Sequence, residues 1–531
     1  MSDIRVRFAP SPTGHVHIGN IRAAIFNWLF ARHNGGKFLV RVEDTDRERN
    51  TPEAIESLFD CMNWLGLDFD EEPFYQSSQR DHHLAIAQKL IDSGNAYKHA
   101  KGDDGSEVTI FRMPYMQEEP DFIKVYGDAS NDLHADIPVK IDYSGITFGL
   151  ISRKGKAIPQ ENLCLAGFKD LKLYNEAGDV VFELAPNLDK ILAGDASFEI
   201  EDAVKMTFIR RAVTFTDIVK GELSKPLDSM KDLVIVKSNG DPLFHLANIC
   251  DDITQGMTHI VRGDDHVENT YRHIFVYHVL GEQIPHYGHL PMIVNQQKKP
   301  LSKRDGDAFV GDFREKGYLA DALFNYLMLL GWSPGENLEK IDKNEAVKRF
   351  ELSSVKSTAA QMDYDKLYNI NGQYMAELEE DKFLALVKPE VEKNDWFTGD
   401  DAKLAEVAKL MQSRVKLVTD VSAWSYFFTE GFTMAVDEKR LNKVLGKEGV
   451  KEQLLAVAAE LENAEFSPEK VHDAIVKATV DCGLNPGKLN QAVRIASTGA
   501  AGGAELFDTL VLLGKETVVA RIRKTAEEYC G

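Results

Sequence analysis

The stretch Ile4-Arg5-Val6-Arg7-Phe8-Ala9-Pro10-Ser11-Pro12-Thr13-Gly14-His15-Val16-His17-Ile18-Gly19-Asn20 decides the fold. Ile4, Val6 and Phe8 alternate with Arg5 and Arg7 as in a strand, and the prolines and glycine that follow forbid its continuation. Ile21, Ala24, Ile25, Trp28 and Leu29 then recur at the spacing of one helical face. A second strand, Phe38 to Val42, ends in Glu43-Asp44-Thr45-Asp46. Thr51 and Pro52 then open a helix carrying Ile55, Leu58, Phe59 and Met62. Strand, helix, strand, helix in this order predicts a parallel, doubly wound sheet.

The chain has 531 residues, more than one hydrophobic core supports, so several domains are expected. It contains no apolar run of about 18 residues that could span a bilayer. The opening Met1-Ser2-Asp3-Ile4-Arg5 lacks the features of an export signal, so a cytoplasmic protein is expected. Five cysteines, no two closer than 48 positions, argue against a disulfide framework or a CxxC zinc site. The formal charge of −22 argues against indiscriminate binding to polyanions, while leaving room for a local basic face. Half of that excess falls in residues 102–204, which hold 20 acidic and 9 basic residues.

From residue 102 the periodicity becomes mixed, with short strand-like pieces at Val139–Ile141 and Val180–Phe182, as expected of an inserted α+β domain. Strand signals return at Leu233–Val236 and His259–Val261, and a helix is expected through Tyr271, Ile274 and Phe275. The first domain is therefore read as split. After residue 312 the pattern is almost wholly helical, with breaks near Lys393-Asn394-Asp395 and at Ser497 to Gly503.

Two features carry chemistry. Pro12 to Asn20 lies where the first strand gives way to the first helix, the crevice in which open α/β sheets bind nucleotides. Helix amides and imidazoles there can meet phosphate oxygens. The second is the cationic loop Lys298-Lys299-Pro300-Leu301-Ser302-Lys303-Arg304-Asp305-Gly306, which follows the strand-like Met292-Ile293-Val294. Flexible lysines can hold a departing pyrophosphate, provided the loop folds back toward the first motif. Alone, the histidines read equally as capping residues and the loop as a solvated charge run.

Together these stretches resemble the HIGH and KMSKS motifs of class I aminoacyl-tRNA synthetases. Arg7 to Gly14, Val42-Glu43-Asp44-Thr45-Asp46, His245-Leu246-Ala247-Asn248 with Asp251-Asp252, and Val261-Arg262-Gly263-Asp264-Asp265-His266 are similar, in order and spacing, to bacterial-type glutamyl-tRNA synthetases. The resemblance covers most of residues 1–100 and 230–380, continues weakly through the C-terminal helices and is poor from 102 to 204.

What it implies is ATP-dependent activation of L-glutamate to glutamyl-adenylate, release of pyrophosphate, and transfer of the glutamyl group to tRNA(Glu), with Mg²⁺ accompanying ATP. It also implies a Rossmann-like catalytic domain in two halves, 1–101 and 229–311, separated by an acceptor-stem-binding insertion, 102–228. A helical stem-contact domain, 312–392, and a helical anticodon-binding domain, 393–531, would follow. By the same resemblance His17, Gly19, Asn20, Ser302 and Lys303 are the catalytic set, and Pro12, Gly14, His17, Gly19 and Lys303 meet ATP. Arg7, Ser11, Glu43, Phe244, Asn248 and Arg262 line the glutamate pocket, and Arg414 and Lys416 contact tRNA from a helical segment. Two arginines and a glutamate suit a dicarboxylate with one ammonium, and which arginine takes which carboxylate stays open. A monomer with no membrane contact is expected.

Three departures stand out. Asn20 replaces the last histidine of HIGH, Pro300 replaces the first lysine of KMSKS, and Phe244 stands where the family has a tyrosine whose hydroxyl enters the pocket. The insertion holds a single cysteine, Cys164, so no zinc is expected there, and Arg153, Lys154 and Lys156 are its candidate phosphate contacts. The length excludes a small nucleotidyltransferase and the short glutamyl-queuosine paralogue, while the helical second half argues against glutaminyl-tRNA synthetase, whose anticodon region is built from β-barrels. A form that also charges tRNA(Gln), and a catalytically weakened tRNA-binding paralogue, remain as alternatives.

Overall fold

The computed structural model describes residues 4–12, 14–45, 50–100, 105–302 and 306–530. Two compact units divide the chain: residues 1–310 with 327–362, and residues 311–326 with 363–531.

The first unit is built on the strand–loop–helix read above. Strand β1 (Arg5–Phe8), helix α1 (Ile18–His33), strand β2 (Lys37–Val42), helix α2 (Pro52–Trp64) and strand β3 (Phe74–Tyr75) form a parallel sheet in the order β1-β2-β3. The Thr51 hydroxyl caps α2 at 3.2 Å from the Ala54 amide, with Pro52 in the first turn where no backbone donor is needed. Gly36 lets the chain turn from α1 into β2, since a β-carbon there would lie 2.4 Å from the Ile4 carbonyl oxygen. Helix α3 (Arg80–Asp92) then leads to the hairpin β4 (Ala96–Ala100) and β5 (Glu107–Phe111).

The middle of the chain is strand-rich. Strands β6 (Ile123–Asp132), β7 (Val139–Asp142), β8 (Gly145–Ile151), β9 (Ala157–Leu163), β10 (Lys169–Tyr174) and β11 (Val180–Glu183) precede the six-residue helix α4 (Leu188–Ala193). Strands β12 (Phe198–Ile200), β13 (Lys205–Asp217) and β14 (Gly221–Pro226) follow. They enclose their own core, with Ile141, Ile146, Phe148, Phe168, Leu173 and Phe208 buried in it.

The 13-residue β13 ties this region to the strand that holds Tyr287. It pairs antiparallel with β6, β10 and β14, and its last residue, Asp217, pairs in parallel with Tyr287. Next along the chain come β15 (Leu233–Val236), α5 (Phe244–Thr254), β16 (His259–Gly263), α6 (Val267–Leu280), β17 (His286–Leu290) and β18 (Ile293–Val294). Strands β16 and β17 are parallel, and the amide of Thr258, just before β16, donates to the Arg5 carbonyl at 3.1 Å. The helical reading beyond residue 312 is interrupted by β19 (Ala360–Gln361), which pairs with β18.

The second unit is helical among its described residues. Helices Glu380–Val391, Asp401–Met411, Val450–Asn463, Pro468–Asp481, Asn490–Thr498 and Lys515–Glu528 bury Phe383, Leu404, Val457, Ile475, Val493 and Ile522 in one core. Both expected breaks separate helices, and Gly499 closes Asn490–Thr498 in the left-handed conformation, φ 71°.

One local expectation needs correcting. Arg414 ends a one-turn 3₁₀ helix, and Lys416 lies in the extended segment after it. Asp420 accepts the backbone amides of Lys416 and Leu417, both at 2.9 Å, so a side-chain cap replaces the helical bonds that a continuing helix would make.

Candidate active site

A cavity of about 490 Å³ opens where β1 meets α1. Arg7, Ser11, His17, Gly19, Asn20, Glu43, Phe244, Asn248 and Arg262 of the predicted residues line it, joined by Pro300 and Leu301 from the cationic loop. Pro12, Gly14 and Ser302 are not among its lining residues, and Lys303 lies outside the described residues.

His17 caps α1, its Nδ1 accepting the Gly19 amide at 3.0 Å. Burial pushes the imidazole below its ordinary pKa, partly offset by a hydrogen bond with the Leu301 backbone. No acidic residue stands in the first turn of this 16-residue helix, which leaves its N-terminal partial charge unopposed. The two motifs meet directly. The Ile18 amide donates to the Ala308 carbonyl and the Val310 amide to the Val16 carbonyl, both at 2.9 Å, so the chain leaving the cationic loop is laced to the first motif. The loop itself begins with a turn organised by Asn295, whose Oδ1 accepts the amides of Gln297 and Lys299, both at 3.0 Å. Beyond the turn, Pro300 lies opposite Val294.

Beneath the cavity lies a buried ionic network. Arg7 Nε donates to Asp252 Oδ1 at 2.9 Å, and Arg41 Nη1 donates to the same oxygen at 2.5 Å. Arg41 Nη2 reaches Glu43 Oε1 at 3.3 Å, which also accepts from Asn248 Nδ2 at 2.9 Å. Asp251 is held by His83 at 2.6 Å and by Gln76 at 2.7 Å. Burial opposes the charge on Arg41, but Asp252, Glu43 and Asp251 outweigh it and hold the guanidinium above its ordinary pKa. Burial raises the Glu43 carboxyl, against the pull of Arg41 and Arg7. Of these carboxylates Glu43 lines the cavity, where it could meet an ammonium ligand.

Arg262 is the opposite case. It is buried, and among the described residues no carboxylate lies within 4 Å of its guanidinium. Nε donates to His289 Nε2 at 3.3 Å and Nη2 to the Thr270 hydroxyl at 2.6 Å, while Nη1 has no hydrogen-bond partner. Burial pulls its pKa down, with Arg7 adding to the effect. A buried cation with an unused donor on a cavity wall is a site for an anion. Phe244, at the start of α5, packs its ring 5.6 Å from that of His266 and 6.2 Å from that of His273. Burial, helped by Arg272 and Arg262, pushes His245, next to Phe244, down to about 4, so its ring is uncharged at neutral pH.

Sequence reasoning missed the partners that hold these groups. Arg22 donates from Nη1 to the Leu330 carbonyl at 2.9 Å and from Nη2 to the Pro291 carbonyl. Arg41, Asp217, Thr270 and His289 were equally unmarked. Asp251-Asp252 was the one partner group carried by a motif. In the second unit, Arg414 reaches Glu505 at 3.6 Å, and Lys416 donates to Asn369 at 2.6 Å while lying over the Tyr368 ring at 4.8 Å.

Residues 3–108 and 195–369 match the family of class I (E and Q) tRNA synthetases, catalytic domain, and residues 382–526 match an anticodon binding domain. The stretch between the two catalytic segments falls inside the region of poor resemblance. The chain is 32% identical over 530 residues to glutamate–tRNA ligase 1 of Caldanaerobacter subterraneus, covering 99% of this chain and 98% of that one. It is 32% identical to the glutamate–tRNA ligase of Bacillus subtilis, covering 98% and 99% respectively. A crystal structure of a glutamate tRNA ligase from Elizabethkingia meningosepticum in complex with its amino acid superposes with a TM-score of 0.70 at 25% identity, covering 99% of this chain and all of that one. With residues of both sequence motifs lining one cavity and similarity running the length of the chain, the protein belongs to the glutamate–tRNA ligases of the class I aminoacyl-tRNA synthetases.

Proposed function

We propose that this chain attaches L-glutamate to tRNA(Glu) in two steps, in the cytoplasm and as a monomer. In the first, a glutamate carboxylate oxygen attacks the α-phosphorus of MgATP. The bond to the β-phosphate oxygen breaks, and glutamyl-adenylate and pyrophosphate form. In the second, a hydroxyl of the terminal tRNA ribose attacks the acyl carbon and AMP leaves. The observation that carries this reading is the presence, in one cavity lining, of the Glu43 carboxylate and of Arg262, a buried cation with an unsatisfied donor.

Glu43 takes the substrate ammonium, Arg262 takes one carboxylate and Arg7, tethered by Asp252, faces the other, with Ser11 and Asn248 as neutral neighbours. His17, Gly19 and Asn20 serve the phosphates at the start of α1, with Pro12 and Gly14 shaping the loop before it. Ser302 and Lys303 act from the cationic loop, where Lys303 stabilises the charge that grows on departing pyrophosphate. Residues 102–228 grip the acceptor stem, 312–392 contact the stem and 393–531 read the anticodon. Arg414 and Lys416 are the tRNA contacts there; their present partners are exposed side chains, and such surface pairs contribute about 0–1 kcal/mol and exchange readily for phosphate.

Charging assays with radiolabelled glutamate and separate tRNA(Glu) and tRNA(Gln) transcripts test the reading. Acid-precipitable glutamate on tRNA(Glu) is expected, and none on either tRNA would refute it. Lys303→Ala is expected to lower the rate of adenylate formation while leaving glutamate affinity within about twofold.

A further inference from the structure

Arg262 can offer Nη1 to a ligand only if its other donors are held, and two of the residues that hold them, His289 and Thr270, lie outside every motif of the sequence. Asp217, the last residue of β13, stands in the second of the two stretches that match the catalytic domain and pairs there with Tyr287. Its Oδ2 lies 2.6 Å from His289 Nδ1, and neither residue is more than 1% exposed. Its Oδ1 accepts the amides of Val219 at 2.9 Å and Lys220 at 2.8 Å, and the His289 amide reaches both oxygens, at 3.2 and 3.1 Å. An ionised carboxylate only accepts, so the His289 proton sits on Nδ1 and Nε2 is left as an acceptor. That nitrogen lies 3.3 Å from Arg262 Nε and 3.1 Å from the Thr270 hydroxyl. The hydroxyl takes Nη2, which also reaches the His266 carbonyl at 3.3 Å, and the Tyr287 ring lies 5.8 Å from the guanidinium carbon. Every donor of Arg262 but Nη1 is thereby directed.

We propose that Asp217 and His289 are positioning residues for glutamate recognition: the carboxylate sets the imidazole tautomer, and the imidazole aims Arg262 at a substrate carboxylate. The proposal rests on the glutamate-activating reading above. Burial would raise the Asp217 carboxyl, but the hydrogen bonds from His289 and the backbone hold it below its ordinary pKa, and burial lowers His289, in keeping with a charged acid beside a neutral imidazole. Strand β13, which runs out of the strand-rich middle of the chain, would thus support the amino-acid pocket through its last residue.

Two substitutions separate aiming from mere support. The amide of Asn occupies the place of Nδ1 and that of Gln the place of Nε2. His289→Asn therefore keeps a donor for Asp217 and loses the acceptor for Arg262, whereas His289→Gln does the reverse. ATP–pyrophosphate exchange, with tRNA present and glutamate and ATP each varied, is expected to give a glutamate KM at least about tenfold higher for H289N than for H289Q, with ATP KM within about threefold of wild type in both. A glutamate KM equal in the two, or higher for H289Q, overturns the proposal, as does a parallel rise in ATP KM. Should neither variant fold, Thr270→Val leaves the Asp217–His289 pair whole and is expected to raise glutamate KM selectively; an unchanged value overturns the proposal. Absence of glutamate-dependent exchange in the wild-type chain would instead remove the activation reading, and the proposal with it.

Discussion

Arg262 and Arg521 are both buried arginines with no carboxylate within 4 Å among the described residues, yet their surroundings differ. Arg521, in the second unit, spends its donors on backbone carbonyls: Nε on Glu430 at 3.2 Å, Nη1 on Ser497 at 2.9 Å, and Nη2 on Tyr426 at 2.9 Å and Thr429 at 2.5 Å. Tyr426 and Ser497 stand in the last turns of helices Ser425–Phe428 and Asn490–Thr498, and Thr429 and Glu430 follow the first of these, so the guanidinium takes up carbonyls that helix ends leave without a partner. Arg262 gives up two donor groups and keeps the third for something absent from the fold. A buried charge is therefore informative through its unmet valence more than through its burial. Arg521, fully met, holds structure, whereas Arg262, partly met, lines a cavity in which its unused donor can take an anion.

Removing each arginine should break this comparison in a different place. Arg262→Ala is expected to weaken glutamate binding by about 2–5 kcal/mol, or at least about thirtyfold, with global stability changed far less. Glutamate affinity within about fivefold of wild type would make Arg262 a structural residue like its counterpart. Arg521→Ala should do the converse and lower the stability of the helical unit by about 2–4 kcal/mol, since several buried carbonyls lose their donor together. Urea unfolding followed by hydrogen exchange in residues 490–528 reads this directly. A change under about 0.5 kcal/mol, or a shifted glutamate KM with stability intact, would erase the distinction.

The smallest expected effect sharpens the pocket side. Phe244→Tyr should restore one hydrogen bond worth roughly 0.5–1.5 kcal/mol and raise glutamate affinity by up to about tenfold. If the imidazoles packed round the bare ring leave the hydroxyl without a partner, burial costs about 1–3 kcal/mol and affinity falls. Glutamate dissociation constants for the two proteins separate these outcomes.

What was legible in the sequence was local. Alternation at Ile4, Val6 and Phe8, the helical spacing from Ile21 and the prolines between them define β1, the loop and α1 without reference to the rest of the chain. Strand β13 escaped because a register shift between Arg210 and Arg211 breaks its alternation, leaving Arg211, Ala212 and Val213 buried in succession. The site was legible only as far as its motifs reached. Arg262 and Glu43 stood out through resemblance, but Arg7 meets Asp252 across 245 residues and His289 meets Asp217 across 72, separations at which no periodicity or spacing rule operates. Lys416 was misread for a related reason. Its side-chain types suit a helix, and the competing cap from Asp420 becomes visible only once the backbone is placed.

The most direct test is amino-acid-dependent ATP–pyrophosphate exchange by the wild-type chain, with tRNA(Glu) present and glutamate, glutamine and aspartate compared at equal concentration. The account predicts that glutamate drives exchange at a kcat/KM at least about 100-fold above either analogue, because it assigns the two carboxylates to Arg262 and Arg7 and the ammonium to Glu43, all three in one cavity lining. Exchange driven equally by glutamine, or none with glutamate, would contradict it.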